Sequence, residues 1–344
     1  MTRLILTTNY IHRASDMSQS RDLFLHFGHH FGDHLQRLVF GPPPALAELE
    51  DRFAVRSAQL HEKRGSHWLD FIPTKRLDQF EVRGIGLAQL CACFETIELW
   101  IFSNANDQLE LIWLLDYLHR HRAITSRLFL RPVDTPFGIH CEEELAVMDA
   151  PHIRITSAHA ELASKAWNAY CSPTPQAWWN LLGENLSALP HLRDAVLRLL
   201  IELPATGTGL GSTEMGLLEM IYPPPPHKLS VIINTMVFFN GYYRHTIFDY
   251  WETALLAEPL AFGPSPAVTA LDPELQTIEL GNLRRRDEIH KESRPRLTDL
   301  GEAILLGRED FSRHNPINRW WGSTRLTNDN LWRWDPIAHQ LIAP

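Results

Sequence analysis

Cysteine is scarce in this 344-residue chain: Cys91, Cys93, Cys141 and Cys171 are the only four. That is too few for a disulfide framework at this length. Cys91-Ala92-Cys93 also lacks the two-residue gap of zinc and thioredoxin motifs. The four are read as reduced structural thiols, which fits a cytoplasmic protein. A basic excess is missing too. The formal charge is −9, with 19 Lys+Arg against 24 Asp+Glu in residues 1–210 and 13 against 17 in residues 211–344. Neither half has the positive surplus that phosphate-dominated binding to nucleic acid requires. No apolar run reaches the ~18–20 residues of a spanning helix, and Met1 to Arg13 has no signal-peptide core, so no membrane partner is expected. No P-loop, GxGxxG, GxSxG or complete nucleophile–base pair can be read, and no internal repeat.

What is present is an α/β pattern. The most informative stretch is Glu98 to Leu118. An apolar strand, Ile97 to Ile101, runs into the polar turn Ser103-Asn104-Ala105-Asn106-Asp107. An amphipathic helix follows from Asp107 to His121, with Leu109, Ile112, Leu115 and Leu118 on one face. Further strands are expected at Leu4 to Thr8, Gln36 to Phe40 and Leu128 to Pro132, with helices at Ala45 to Lys63 and Gly84 to Phe94. Strands alternating with helices over about the first 135 residues predict a largely parallel, doubly wound sheet.

Beyond residue 150 the pattern turns helical. Helices are expected from Thr156 through Tyr170, around Trp178, from Leu189 to Leu203, and from Glu214 to Tyr222 with Ser212 or Thr213 as N-cap. Pro223 to Pro226 reads as a stiff linker and a domain boundary. Two helices then follow, Lys228 to Phe239 and Arg244 to Leu256. After them come a strand at Gln276 to Leu280, a charged loop, a short strand near Arg296 and a helix at Thr298 to Leu306. Helices followed by a two-stranded ribbon suggest a winged helix. The expected organisation is an α/β domain with a mostly parallel sheet (1–150), a helical middle segment (151–210) and a winged-helix-like α+β domain with a Trp-rich tail (211–344).

The sequence resembles bacterial proteins carrying the domain of unknown function 1835. The resemblance rests on the strand ending at Asn9, Phe40-Gly41-Pro42-Pro43-Pro44, Leu99-Trp100 with Asn106-Asp107-Gln108-Leu109, and Ile155-Thr156 followed by Ala163 and Trp167. It continues through Asn185 to Pro190, Leu297-Thr298 with Gly301, Asn315 to Gly322 and Trp332 to Asp335. It implies an α/β amino-terminal domain, a helical middle and a winged-helix-like end, in a family with no assigned activity. Relatives tend to carry Asn-Gly-Asp-Ser where this chain has Asn9-Tyr10-Ile11-His12. They also tend to carry acids just after Leu-Trp, where this chain has Phe102, Ser103 and Asn104.

The candidate ligand pocket is Asn9 and His12 after one strand with Ser103, Asn104, Asn106 and Asp107 after another, loops that a doubly wound sheet brings to one edge. Asp107 could serve as base or metal ligand and the asparagines could orient a polar ligand. Asn106 and Asp107 are equally suited to capping the helix that begins there, and the two roles are compatible. His26, His29, His30 and His34 form a histidine cluster in which i,i+4 pairs would share a helix face and could hold a metal. Its two glycines, and the lack of a metalloprotease glutamate, favour a surface cluster. Arg284, Arg285 and Arg286, with Arg244, could contact phosphate, but the interleaved Asp287, Glu288 and Glu292 suit a solvated ribbon better. Trp320, Trp321, Trp332 and Trp334 read as anchors for the tail. The function expected is a binding or accessory protein taking a small polar ligand or a protein partner, with no cofactor implied. The alternatives are an enzyme acting on a small polar or nucleotide-like substrate, and a DNA-binding regulator. Oligomeric state, substrate and pathway are not legible.

Overall fold

The computed structural model describes residues 3–7, 23–26, 86–133, 152–240 and 250–344. The expected strand at 36–40, the helix at 45–63, the segment Gly41 to Pro44 and Cys141 lie outside them. By compactness the described residues form two units. One holds the residues up to Ser172 together with 180–195; the other holds 173–179 and everything from Val196 on.

The first unit is built on a five-stranded sheet of β1 (Arg3–Thr7), β2 (Leu23–His26), β3 (Thr96–Phe102), β4 (Leu128–Val133) and β5 (Ile153–Arg154), in the order β2-β1-β3-β4-β5. β2, β1, β3 and β4 are parallel, and β5 runs antiparallel along β4. The mixed α/β class follows from this arrangement. Leu4, Ile5, Leu6, Ile97 and Leu99 are wholly buried. Strands covered on both faces read as continuous apolar runs rather than as alternation, which is what these segments show. Two strands were not anticipated. β2, Leu23-Phe24-Leu25-His26, reaches the histidine-bearing stretch only at its last residue, and β5 is only two residues long.

Helix α1 (Leu87–Ala92) leads into β3. Helix α2 (Ala105–His119) and the short α3 (Arg122–Thr125) connect β3 to β4. The expected amphipathic character of α2 is corrected. Asp107, Glu110 and Asp116, which an amphipathic helix would leave exposed, are buried like the leucines between them. A helix apolar or enclosed all round belongs inside a domain. Helix α4 (Ser157–Tyr170) packs along α2. Its Ala160, Ala163 and Ala166 are fully buried, and side chains that small allow a close helix approach.

The second unit contains α5 (Gln176–Asn180) up to Trp179 and the end of α6 (Leu192–Leu200), then α7 (Ser212–Ile221), α8 (Leu229–Asn234) and α9 (Tyr250–Phe262). Next come β6 (Val268–Thr269), a 3-10 turn (Pro273–Gln276), α10 (Leu283–Glu292), β7 (Arg296–Leu297), α11 (Asp299–Leu305) and α12 (Phe311–His314). Two ribbons close the chain, β8 (Asn318–Trp321) with β9 (Thr324–Thr327), and β10 (Arg333–Asp335) with β11 (Gln340–Ile342). The tryptophan tail is an anchor. Trp321 is fully buried and donates from Nε1 to the Leu199 carbonyl at 2.7 Å, while Trp334 is 2% exposed.

Two expectations change here, a strand and a loop. The strand at Gln276 to Leu280 is absent, and β7 pairs instead with β6, which precedes the turn. The charged loop is helix α10: Asn282 caps it through Oδ1, and Arg284–Glu288 and Asp287–Lys291 pair at i,i+4. Acids three and four residues from arginines support a helix, and that spacing outweighs the polar composition. Pro223 to Pro225 are exposed, as a linker would be, yet the segment lies inside the second unit. Arg294 donates to the Pro226 carbonyl and the Leu229 amide to the Ser293 carbonyl, so the run is tied down at its far end.

Candidate functional site

Strand order decides where the α/β unit can hold a ligand. β1 has β2 on one side and β3 on the other, so the winding direction of the sheet reverses between β1 and β3. In open parallel sheets the chains leaving the carboxyl ends at such a point diverge and leave a crevice. Thr7, the last residue of β1, lies beside Trp100 of β3, and β3 ends two residues later at Phe102. The turn Ser103-Asn104 therefore opens directly onto the switch point.

That turn is tightly organised. Asn104 is the N-cap of α2, and its Oδ1 accepts from the Asp107 amide at 3.0 Å. Asp107 Oδ2 accepts from the Phe102 amide at 3.2 Å, and Gln108 Nε2 donates to the Phe102 carbonyl at 2.7 Å. Asn104, Asp107 and Gln108 thus fix the end of β3 against the start of α2 from both sides. Ser103 and Asn106 are half-buried at the same turn. Of the expected pocket residues, the structure brings Ser103, Asn104, Asn106 and Asp107 together, with Asn104 and Asp107 in capping and bracing roles. Asn9 and His12 lie outside the described residues.

Sequence reading missed Glu98. It sits on β3, 4% exposed, and its carboxylate collects Arg3 Nη1 at 3.0 Å, the Trp100 Nε1 donor at 2.8 Å and His152 Nε2 at 3.5 Å. Trp100 in turn carries the Arg131 guanidinium, 5.3 Å from its ring centroid. The available signal was a lone acid inside the apolar run Ile97 to Phe102. Such a residue on a two-sided strand needs a partner to be buried at all.

The other candidates separate. His26 is the last residue of an extended strand, so a helical i,i+4 pairing of His26 with His30 does not apply. His29, His30, His34 and Arg244 lie outside the described residues. No cluster of three or more His, Cys, Asp or Glu among the described residues could hold a metal. The three arginines share α10 but not a role. Arg286 is 3% exposed, ion-paired to Glu258, and donates to the carbonyls of Leu275, Ile278 and Glu279. Arg285 is exposed and bridges Glu274 and Glu288, holding the Glu274 carboxyl below its usual range through hydrogen bonding. Arg284, almost fully exposed, pairs with Glu288.

Two buried groups of the second unit are strongly perturbed. Glu202 is 2% exposed and lies at the amino end of α7, where Oε2 accepts from the Thr213 amide and Oε1 from the Thr213 hydroxyl. Burial pushes its carboxyl up to about 7, opposed by those hydrogen bonds and by Arg319, while Glu214 adds to the rise. The glycine-rich connector serves this cluster. A side chain on Gly211 would run into the Glu202 carbonyl and Arg319, and one on Gly209 into Asp310. His290 is 1% exposed, and neither ring nitrogen meets a hydrogen-bond partner among the described residues. Burial lowers it to about 4, reinforced by Arg286 and opposed by Asp287. Of the cysteines, Cys171 is inert, its thiol pushed to about 12 by burial with Asp116 adding to the effect.

No family model matches the chain, and no curated protein matches it. No helix among the described residues is long and apolar enough to cross a membrane.

Proposed function

We propose that the chain is a cytoplasmic, two-unit binding protein whose α/β unit takes a small polar ligand in the crevice at the carboxyl ends of β1 and β3. One observation carries this reading: the strand order β2-β1-β3-β4 puts the reversal between β1 and β3, with the braced Ser103-Asn104 turn at its lip. Rigid bracing of a turn at a ligand edge supplies preorganisation, which lowers the entropy lost on binding. Asp107 has a positioning role here, since its carboxylate is engaged by the Phe102 amide. A ligand-binding role is therefore better supported than general-base catalysis. The similarity to the domain of unknown function 1835 family belongs to the same proposal. The test is an unbiased thermal-shift screen of polar small molecules on the intact chain, repeated with Ser103→Trp, which fills the lip of the crevice. Hits that Ser103→Trp abolishes support the reading; hits it leaves untouched contradict it.

A second reading concerns the other unit. From the succession α9, β6, 3-10 turn, α10, β7, with β6 and β7 paired, we infer a winged-helix-like module with α10 as the presented helix. We infer a protein-contact module rather than a DNA reader. What supports this is the state of the arginines: Arg286 is buried, and Arg284 and Arg285 are matched by acids on or beside the same helix. Phosphate contacts would require those pairs to break. No duplex binding tighter than roughly micromolar is expected at physiological salt, the non-specific range. A nanomolar, salt-sensitive complex lost in an Arg284→Ala, Arg285→Ala variant would reinstate the regulator.

A further inference from the structure

We propose that the groove beside the carboxyl end of α10 docks an extended, acidic peptide segment of a partner protein, with Arg294 and Arg296 recognising its carboxylates. This rests on the protein-contact reading of the second unit and adds the surface and the chemistry of the partner. The groove, about 910 Å³, lies between the last turns of α10, the chain from Ala270 to Pro273, and the segment Ser293 to Arg296 that leads into β7. Its floor is Leu271, Ile289 and Ser293, all buried, and its walls are exposed side chains. Small-molecule sites enclose most of their ligand's surface. A trough with an apolar floor and open polar walls suits instead a chain that lies along it. Ala270, on its lip, has φ of +63°. An alanine stays in that left-handed region only where its surroundings over-determine it, and such positions cluster at ligand clamps.

The two arginines carry the assignment. α10 ends at Glu292, and Ser293 is already extended, with φ of −65° and ψ of 135°. From there burial alternates: Ser293 and Pro295 are buried, Arg294 and Arg296 exposed. Residues two apart on an extended chain share a side, so both arginines stand on one wall of the groove. The basic residues of α10 are matched by acids: Arg284 and Arg285 by Glu288, Arg286 by Glu258, Lys291 by Asp287. Arg294 is not. It gives one hydrogen bond, from Nη1 to the Pro226 carbonyl at 3.1 Å, and no acid among the described residues pairs with it. The Arg296 guanidinium has neither a hydrogen bond nor an ion pair among the described residues. In a chain of net charge −9, two such cations on one wall supply local attraction for anions that the protein as a whole repels, and the guanidinium fork matches a carboxylate bidentately. The acids of the same trough decide which polyanion fits. Glu288 and Glu292 line its helix side and Asp272 the opposite lip. A duplex would carry a continuous row of phosphates past them. An extended peptide alternates its side chains, so it can set carboxylates against the arginines and apolar groups on Leu271 and Ile289.

The experiment is selection of a phage-displayed random dodecapeptide library on the intact chain. Fluorescence anisotropy of the most enriched peptides, and of a short DNA duplex, then follows on wild type, Arg296→Gln and Arg296→Glu. The Arg296 side chain bonds nothing in the fold, so neither change removes a native contact, and circular dichroism checks that each variant folds. The expected result is enrichment of peptides rich in aspartate and glutamate. Their affinity should fall at least about 5-fold in Arg296→Gln and further in Arg296→Glu. If no peptide is enriched, if the enriched peptides carry no excess of acids, or if both variants keep full affinity, the acidic-peptide groove is overturned. The protein-contact reading survives that result where the enriched peptides are lost instead in Arg284→Glu, on the exposed face of α10. A duplex that binds wild type tighter than micromolar and is lost in Arg296→Glu overturns both.

Discussion

Glu202→Gln should flatten the pH dependence of stability in a calculable way. In the folded chain the Glu202 carboxyl is raised from 4.5 to about 7 by burial. Between those values the folded form holds a proton that the unfolded form has released. Stability from this group is therefore fully present below pH 4.5 and is lost as pH rises through 7. Each tenfold difference in proton affinity between the folded and unfolded forms is worth about 1.4 kcal/mol. Integrated from pH 5 to pH 8, the loss attributable to Glu202 is about 2.5 kcal/mol. Glutamine is neutral throughout. It can accept from the Thr213 amide and donate to the Thr213 hydroxyl oxygen, so it suits the cavity that Glu202 leaves. The variant should match wild type to within about 1 kcal/mol at pH 5 and exceed it by about 2–3 kcal/mol at pH 8. Urea unfolding at the two pH values, followed by tryptophan fluorescence, measures this. Trp321, whose indole bonds the Leu199 carbonyl three residues from Glu202, reports on the right region. His290 and Glu258 are common to both proteins and cancel in the difference. Equal pH slopes for wild type and variant would refute the argument.

The remaining predictions concern single side chains. His290→Leu should stabilise the chain by about 1–3 kcal/mol at neutral pH by removing buried nitrogens with no described partner. It should also remove the roughly 2 kcal/mol lost between pH 7 and pH 5, because the histidine, lowered to about 4, resists the proton that the unfolded chain takes up below 6.5; urea titrations at both pH values decide this. Arg286→Ala should cost about 3–5 kcal/mol, since it leaves Glu258 unpaired and three carbonyls without their donor. A loss below about 1 kcal/mol, read from the urea midpoint, would show that the 275–279 segment is held otherwise. Asn104→Ala should cost about 1 kcal/mol and Asn104→Asp almost nothing, as expected for an N-cap; equal losses would speak against capping. Gly209→Ala should destabilise measurably by thermal melt, because the residue has φ of +70° and a side chain there meets Asp310.

Much of the first unit could be read in advance because its signals are local. Ile97 to Ile101 followed by Ser103 to Asp107 is an uninterrupted apolar run, a polar turn and a helix start, and each is decided within a few residues. The same locality explains the errors. The acids on α2 look solvent-facing in a helical projection, and only tertiary enclosure buries Asp107, Glu110 and Asp116. β2 and β5 exist because neighbouring strands offer an edge, which no window of sequence records. In the second unit, the arginine run on α10 looked like a loop because its charge was read as composition. The i,i+4 spacing of Arg284 with Glu288 and of Asp287 with Lys291 was the better signal. For the candidate site, the turn at Ser103 and Asn104 was legible, whereas the cluster around Glu98 was not. It joins residues 3, 98, 100, 131 and 152, which are far apart in sequence and meet through strand pairing and side-chain contacts.

The central claim is that the crevice between β1 and β3 is where this chain meets a small polar ligand. Backbone amide shift mapping of the intact chain by NMR, titrated with the best compound from the screen, tests it most directly. The account predicts that the largest shifts fall at Thr7 and at Phe102 to Asn106, and that Ser103→Trp abolishes them. Shifts confined to residues 196–344, with Thr7 and the Ser103 turn unchanged at saturation, would contradict it.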